Sequence, residues 1–254
     1  MPWLTRWRGL RVRRRRDTAA GGAACSRGRA AAILVAAGAG KRLGGKVDKA
    51  FASVGGRPLV QYSLLALENA SDIERIILVV GKAAVRRCQT LVKRLKLGKV
   101  EAVVAGGRRR QDSVRNGLRF AGDSKYVLVH DAARPFLSAG LVSRTMAACR
   151  RCGAAIAAAP ASDTVKRVKR GRVVGTVPRE VLWLAQTPQA FRRELLERAF
   201  AKWPDRLDAT DDAAVLERAG IRVAVVSGDP LNIKVTYPAD VVLAEALLNA
   251  RKRS

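Results

Sequence analysis

The stretch AAILVAAGAGKRLGGKVDKAF, Ala31 to Phe51, decides the fold. Its apolar first half reads as a buried strand, which breaks into a glycine-rich turn, and Lys41, Arg42, Lys46 and Lys49 follow at once. Glycines after a strand let backbone N–H groups approach an anion closely, and cations that follow can neutralise its charge. The stretch predicts a phosphate cradle. Neither of two familiar phosphate motifs fits it. GxxxxGK[ST] would need glycine at Val35 and a hydroxyl residue at Arg42, while GxGxxG starts at Gly38 and Gly40 but meets Leu43 at its third glycine. The loop is read as a nucleotide loop of a third kind; the alternative is a tight turn with a solvated basic face.

Working outward, apolar runs recur at Ala32–Ala36, Ile76–Val80, Val100–Ala105, Tyr126–Val129 and Ala154–Ala159. Segments with helical spacing separate them: Pro58–Glu68, Ala83–Leu95 and Asp112–Phe120. Short strands alternating with helices predict parallel βαβ units and an α/β class. Open sheets of this kind bind ligands at the carboxyl ends of their strands. Attention therefore falls on the loop after Ala36, on GGRRRQDSV from Gly106, on HDAARP from His130 and on PASDT from Pro160. Beyond Pro160 the chain alternates over two short runs around Gly171, predicting a projecting β-hairpin that a partner subunit would cover. After Leu184 the expectation is a loop TPQAF, a helix over Arg192–Lys202, a loop DATDDAA capping a further helix, a strand Arg222–Val226, and NIKVTYPAD leading into a last helix.

With 254 residues, 48% of them hydrophobic, the chain can bury a full core, and no apolar stretch has the roughly 18 residues a membrane span needs. The net charge of +28 raises nucleic acid as a partner, but the excess is spread along the chain. Residues 1–29 carry nine arginines against the single acid Asp17, with no periodic apolar face, and read as a disordered basic extension. Such a segment suits a cytoplasmic protein; a plastid-type transit peptide is the alternative. Cys149 and Cys152 form a CxxC in a helical stretch. With one histidine in the chain and no second close cysteine pair, they read as free thiols in a reducing compartment rather than a zinc site.

HDAARP puts Asp131 and Arg134 just past a buried strand, where a carboxylate can hold a ribose hydroxyl or a magnesium ion and a guanidinium can fork onto an oxyanion. Together with AAGAGKR (Ala36–Arg42), Lys49, DSV (Asp112–Val114), SDT (Ser162–Thr164), TPQ (Thr187–Gln189) and NIKVT (Asn232–Thr236), in that order, it resembles the 2-C-methyl-D-erythritol 4-phosphate cytidylyltransferase family over about residues 30–250. The resemblance implies a Rossmann-like nucleotidyltransferase fold with a mostly parallel twisted sheet, and transfer of CMP from CTP to 2-C-methyl-D-erythritol 4-phosphate in non-mevalonate isoprenoid biosynthesis. It implies Ala36, Ala37, Gly38, Gly40, Gly107, Ser113 and Asp131 at CTP, and Arg42, Lys49 and Lys234 as the catalytic cations. Arg134, Thr164, Arg179 and Thr187 would hold the acceptor. The cofactor would be Mg2+, with Asp131 as a ligand directly or through water. The hairpin, at about residues 161–184, would be a homodimerisation arm that lends Thr164 and Arg179 to the neighbouring active site.

The chemistry suits these residue types. A phosphomonoester oxygen is already anionic, so its attack on the α-phosphorus of CTP needs positioning and charge neutralisation rather than a general base. His130 is accordingly read as structural. Departures from the family pattern are Asp48 in place of proline before Lys49, and Arg108, Arg109 and Arg110 in a stretch that is often partly acidic. Two rivals stand beside this reading. A ribitol 5-phosphate cytidylyltransferase would share the fold and most of the motifs. A nucleic-acid-binding protein would exploit the basic runs Arg11–Arg16 and Arg251–Arg253, although aromatics for base stacking are only 5% of the chain, which leaves nonspecific polyanion binding through the tail.

Overall fold

The computed structural model describes residues 28–38, 40–43 and 49–253. The expected basic extension, apart from Gly28 and Arg29, lies outside these residues, as do Lys46 and Asp48.

Strand β1 (Ala30–Ala36) enters the glycine loop, and a 3-10 turn over Lys49–Phe51 leads to the two-residue strands β2 (Ser53–Val54) and β3 (Arg57–Pro58). Then follow α1 (Leu59–Glu68), β4 (Ile73–Val80), α2 (Val85–Leu95), β5 (Val100–Ala105), α3 (Arg110–Leu118) and β6 (Tyr126–Asp131). The second half holds α4 (Ala139–Cys152), β7 (Ala154–Pro160), β8 (Val165–Lys169), β9 (Arg172–Val177) and β10 (Trp183–Arg192). It closes with α5 (Arg193–Ala201), α6 (Asp212–Arg218), β11 (Ala224–Ser227) and α7 (Pro238–Arg253).

Seven strands form one sheet in the order β11-β7-β10-β6-β1-β4-β5, and only β10 runs antiparallel to its neighbours. Alternate residues of β1 serve opposite faces. Ala30, Ala32 and Leu34 join Ile76, Leu78 and Leu128 in one core, while Ala31 and Ile33 join Ile77, Val79 and Val129 in the other. A strand buried on both faces shows no polar alternation, which is why β1, Ile76–Val80 of β4 and Tyr126–Val129 of β6 read as unbroken apolar runs. From β1 the chain proceeds outward to β4 and β5, then returns to place β6 on the other side of β1. The loops after β1 and β6 therefore diverge, and such a reversal of strand order opens a crevice for ligands.

The α/β class and the mostly parallel sheet follow the sequence reading, with one local correction. TPQAF is not a loop: it lies inside β10, which pairs with β6 and β7. Its proline interrupts the ladder between Ala185 and Gln189, and the Thr187–Pro188 peptide is cis. The predicted strand Arg222–Val226 begins two residues later, at Ala224. The hairpin around Gly171 forms as β8 and β9, with Val168, Val173 and Val174 exposed along it. The DATDDAA loop caps α6 as its spacing predicts, Asp211 Oδ1 accepting from Ala214 N at 3.0 Å.

Candidate active site

At the reversal between β1 and β6 lies a cleft of about 350 Å³, lined by Ala36, Ala37, Gly38 and Arg42 on one side, Gly107 to Arg110 and Ser113 on the second, and Asp131 to Ala133 with Lys234 on the third. Its size suits a small-molecule site. Glycine is required at two of the turns that frame it. Gly40 sits at φ 62°, a left-handed conformation that favours glycine. At Gly106 an added Cβ would fall 2.4 Å from the Ala37 Cβ and 2.7 Å from Ser113 Oγ, so only a bare backbone lets the second loop close against the first. Ser113 Oγ accepts from Gly107 N at 3.1 Å and donates to Arg109 O at 3.2 Å, fixing the loop that leads into α3. Asp112, in the first turn of α3, accepts from Arg109 N at 3.1 Å and pairs with its guanidinium at 2.9 Å. A carboxylate there also suits the positive end of the helix.

Asp131 is the hub of the site. Its Oδ1 accepts from Arg110 Nε at 3.0 Å and its Oδ2 from Lys234 Nζ at 2.7 Å. Burial by itself would push this carboxyl up, but Arg110 and Lys234 outweigh it and hold the group well below the usual carboxylate range. Arg110 reaches onward, its Nη1 donating to Asp212 Oδ2 at 2.8 Å. Burial would lower the Arg110 pKa, but Asp212 and Asp131 together raise it. The Asp212 carboxyl is displaced upward, because burial exceeds what Arg110 returns.

A second pocket of about 160 Å³ opens beyond this hub. It is lined by Arg134, Ala185, Gln186, Thr187, Gln189, Thr210 and Asp211, and it shares Arg110, Asp131 and Lys234 with the first. Behind it His130 is fully buried, and Thr187 Oγ1 lies 3.0 Å from its Nδ1. That hydroxyl also accepts from Asp131 N at 3.0 Å, so it donates to His130 Nδ1, leaving Nε2–H to donate to Arg134 O at 3.1 Å. Burial lowers the His130 pKa to about 4, so the ring is neutral at pH 7 and serves as a strut. The Arg134 guanidinium is fixed by carbonyls, Nη1 donating to Asn232 O at 2.6 Å and Nη2 to Ala185 O at 3.3 Å. Asn232 is fully buried and donates to Thr187 O at 2.8 Å, while Val235 N donates to Ala133 O at 2.8 Å. The NIKVT segment is thus stitched to HDAARP and TPQ, and Lys234 is aimed between the pockets. Arg42 stacks over the Tyr237 ring at 5.6 Å, just beyond that segment.

Of the residues singled out from sequence, Ala36, Ala37, Gly38, Arg42, Gly107, Ser113, Asp131 and Lys234 line the first cleft, and Arg134 and Thr187 line the second with Asp131 and Lys234. Gly40 shapes the loop between Gly38 and Arg42. Lys49 opens the 3-10 turn Lys49–Phe51, and its side chain lies outside the described atoms. Thr164 and Arg179 line neither pocket of their own chain. Both are exposed on the arm, where Arg179 Nη1 donates to Ser162 O at 2.7 Å. The Thr187 hydroxyl is committed to Asp131 N and His130. Among the described residues no cluster of three His, Cys, Asp or Glu could hold a metal, and Cys149 and Cys152 are free thiols. Burial pushes the Cys149 thiol up to about 12, which makes it unreactive.

Sequence reading missed Arg110, Asp212, Gln189 and Thr210. Gln189 Oε1 accepts from the N–H groups of Asp212 and Ala213 at 3.2 Å, and its Nε2 donates to Asp211 Oδ2 at 2.8 Å, so β10 holds the start of α6 in place. A usable signal was present: two adjacent acids open the apolar α6, and one of them needs a cation if it turns inward.

A family model described as 2-C-methyl-D-erythritol 4-phosphate cytidylyltransferase matches residues 30–250. A protein of that name from Bacillus licheniformis is 41% identical over 223 residues, 87% of this chain and 96% of its own length. One from Syntrophus aciditrophicus is 44% identical over 221 residues, 85% of this chain and 94% of its own. The crystal structure of 4-diphosphocytidyl-2C-methyl-D-erythritol synthase from Anaerococcus prevotii superposes with a TM-score of 0.79 at 31% identity, covering 88% of this chain and 97% of that one. With the glycine loop, the Asp131 hub and the NIKVT segment converging on one crevice, the chain belongs to the 2-C-methyl-D-erythritol 4-phosphate cytidylyltransferase family.

Proposed function

We propose that the larger cleft holds CTP, the smaller pocket holds 2-C-methyl-D-erythritol 4-phosphate, and the chain joins them to give 4-diphosphocytidyl-2-C-methyl-D-erythritol and pyrophosphate. The observation that carries this reading is the Asp131–Lys234 pair at 2.7 Å, on the wall common to both pockets. An acceptor phosphate oxygen attacks the α-phosphorus, a new P–O bond forms, and the bond to the β-phosphate oxygen breaks with both electrons leaving on pyrophosphate. Two polyanions must meet, so cations do most of the work. Arg42 and Lys49 take the triphosphate, Lys234 lies between attacking and receiving phosphates, and Arg134 orients the acceptor. No proton transfer is needed, in keeping with a neutral, buried His130.

The donor set fits a divalent ion carried in by the nucleotide. Asp131 keeps lone pairs beyond those facing Arg110 and Lys234, and magnesium commonly binds through one or two carboxylates plus substrate phosphates. Asp131 would hold Mg2+ directly or through water, and the bound ion would neutralise charge on the triphosphate. Residues 30–250 form the catalytic unit in this reading. The exposed valines of the arm support a homodimer in which Thr164 and Arg179 enter the partner's acceptor pocket. No helix among the described residues is long and apolar enough to cross a membrane, which agrees with a cytoplasmic enzyme. The arginines of residues 1–29 add at most salt-sensitive, nonspecific polyanion binding.

The test is pyrophosphate release by the purified protein with Mg2+ and CTP, comparing 2-C-methyl-D-erythritol 4-phosphate with ribitol 5-phosphate. Release with the first supports the assignment. Preference for the second would retain the chemistry and change the acceptor, and release with neither would overturn the reading.

A further inference from the structure

Arg110 is the first residue of α3, where the positive helix end disfavours a cation, yet it points into the protein rather than to solvent. Its side chain is 22% exposed, against 11% for Asp131 and 1% for Asp212. Nε and Nη1 are spent on different carboxylates, so the planar fork spans two acids that belong to separate elements, β6 and α6. Among the described residues Nη2 and Asp212 Oδ1 are buried without a hydrogen-bond partner, so this bridge leaves polar groups unsatisfied. A buried ion triad of that kind is weak evidence for stability, because well-packed apolar residues often do as well. What the bridge fixes is geometry.

We infer that Arg110 is a positioning residue for the transfer: by spanning Asp131 and Asp212 it presents the Asp131 carboxylate, and through it the Lys234 ammonium, to the wall shared by the two pockets. The inference rests on reading those pockets as the CTP and acceptor sites. Asp131 is faced by Arg110 from α3, by Lys234 from the segment before α7 and by Arg134 from its own loop, with the neutral His130 behind it. Only the first two bond to it, one on each oxygen. Without Arg110, Oδ1 would lose its anchor, and the carboxylate would be free to turn and carry the ammonium with it. Asp212 holds the far end of the fork and stands directly after Thr210 and Asp211, so the same span ties the wall of the nucleotide cleft to the lip of the smaller pocket. Lysine cannot reproduce this, since a point charge on a flexible stem engages one carboxylate at a time.

The experiment measures steady-state pyrophosphate release against CTP and acceptor concentration for the full-length wild type, Arg110→Lys, and the double variant Arg110→Met with Asp212→Asn, which avoids leaving Asp212 as a bare buried charge. CTP affinity by calorimetry and the unfolding temperature are read on the same proteins. Misplacing a reacting group by about 1 Å can cost on the order of a hundredfold, so kcat of the double variant is expected to fall roughly that far, and that of Arg110→Lys about tenfold. CTP binding should stay within about threefold, because the first cleft is framed chiefly by the glycine loop and by Gly107 and Ser113. Arg110→Lys should regain part of the kcat lost in the double variant, and in both the loss should fall on kcat rather than on CTP affinity, a split that a merely structural role would not produce. If the double variant does not fold, Arg110→Lys decides alone through its kcat at unchanged CTP affinity. Wild-type kcat in the variants, or a kcat loss matched by an equal loss of CTP affinity, sinks this inference while the functional reading survives. No release by the wild type sinks both.

Discussion

The buried imidazole makes a quantitative demand on stability. His130 titrates near its ordinary 6.5 in the unfolded chain and near 4 in the folded one, because burial penalises the charged ring. The folded-state pKa is depressed, so the unfolded state takes up the proton first as pH falls. Stability is complete above pH 6.5, declines through the window down to 4, and levels off below it. Integrating that difference between pH 7.5 and pH 5 gives a loss of about 2 kcal/mol, or roughly 4–8 °C in Tm for a chain of this size. The perturbation is His130→Asn, whose amide oxygen can still accept from Thr187 Oγ1 but does not titrate. The assay is urea unfolding of both proteins at the two pH values and at one protein concentration. The variant starts from a lower baseline, since the donation to Arg134 O is lost, but its decline between pH 7.5 and 5 should be smaller than that of the wild type by about 2 kcal/mol. Asp212, whose raised pKa works in the opposite direction, is common to both proteins and cancels. Equal declines in the two proteins would refute the reasoning.

Three further outcomes are expected. Lys234→Ala removes the cation on Asp131 Oδ2 and should lower kcat/KM for pyrophosphate release about a hundredfold while the unfolding midpoint moves little, since the side chain is 42% exposed. Gly106→Ala drives a methyl to within 2.4 Å of Ala37 and should weaken CTP binding at least tenfold at a cost of about 1–3 kcal/mol in stability; unchanged calorimetric affinity would show that the two loops are not in register for the nucleotide. Val173→Asp with Val174→Asp, both more than half exposed on the arm, should give a folded monomer in sedimentation with little turnover; a fully active monomer would remove the arm from the active site.

How much of this was legible depended on what each residue signals locally. The core strands were readable because burial on both faces leaves continuous apolar runs, and α2 and α3 because their helical spacing survives among charged neighbours. Strand β10 was not, because Thr187-Pro188-Gln189 carries the signature of a turn, and proline inside a sheet is admitted only at an interruption of the ladder such as the one here. Most of the lining of the larger cleft was legible from glycine spacing and cations. Arg110 was hidden because it sits in a run of three arginines: Arg108 is exposed, Arg109 closes on Asp112, and only the third turns inward. Nothing local distinguishes them, since the two acids that draw Arg110 in lie 21 and 102 positions away.

The wall between the pockets also bears on resistance. Arg110 opens α3, Asp131 ends β6 and Lys234 precedes α7, so three separate segments face both cavities. On the proposed reading of the two cavities, a bisubstrate inhibitor anchored on those side chains would touch little that CTP and the acceptor do not also need. A mutation that loosened its grip at this wall would cripple turnover in the same step, so escape would have to arise at the periphery of the cleft, where residues such as Arg108 have more freedom to change.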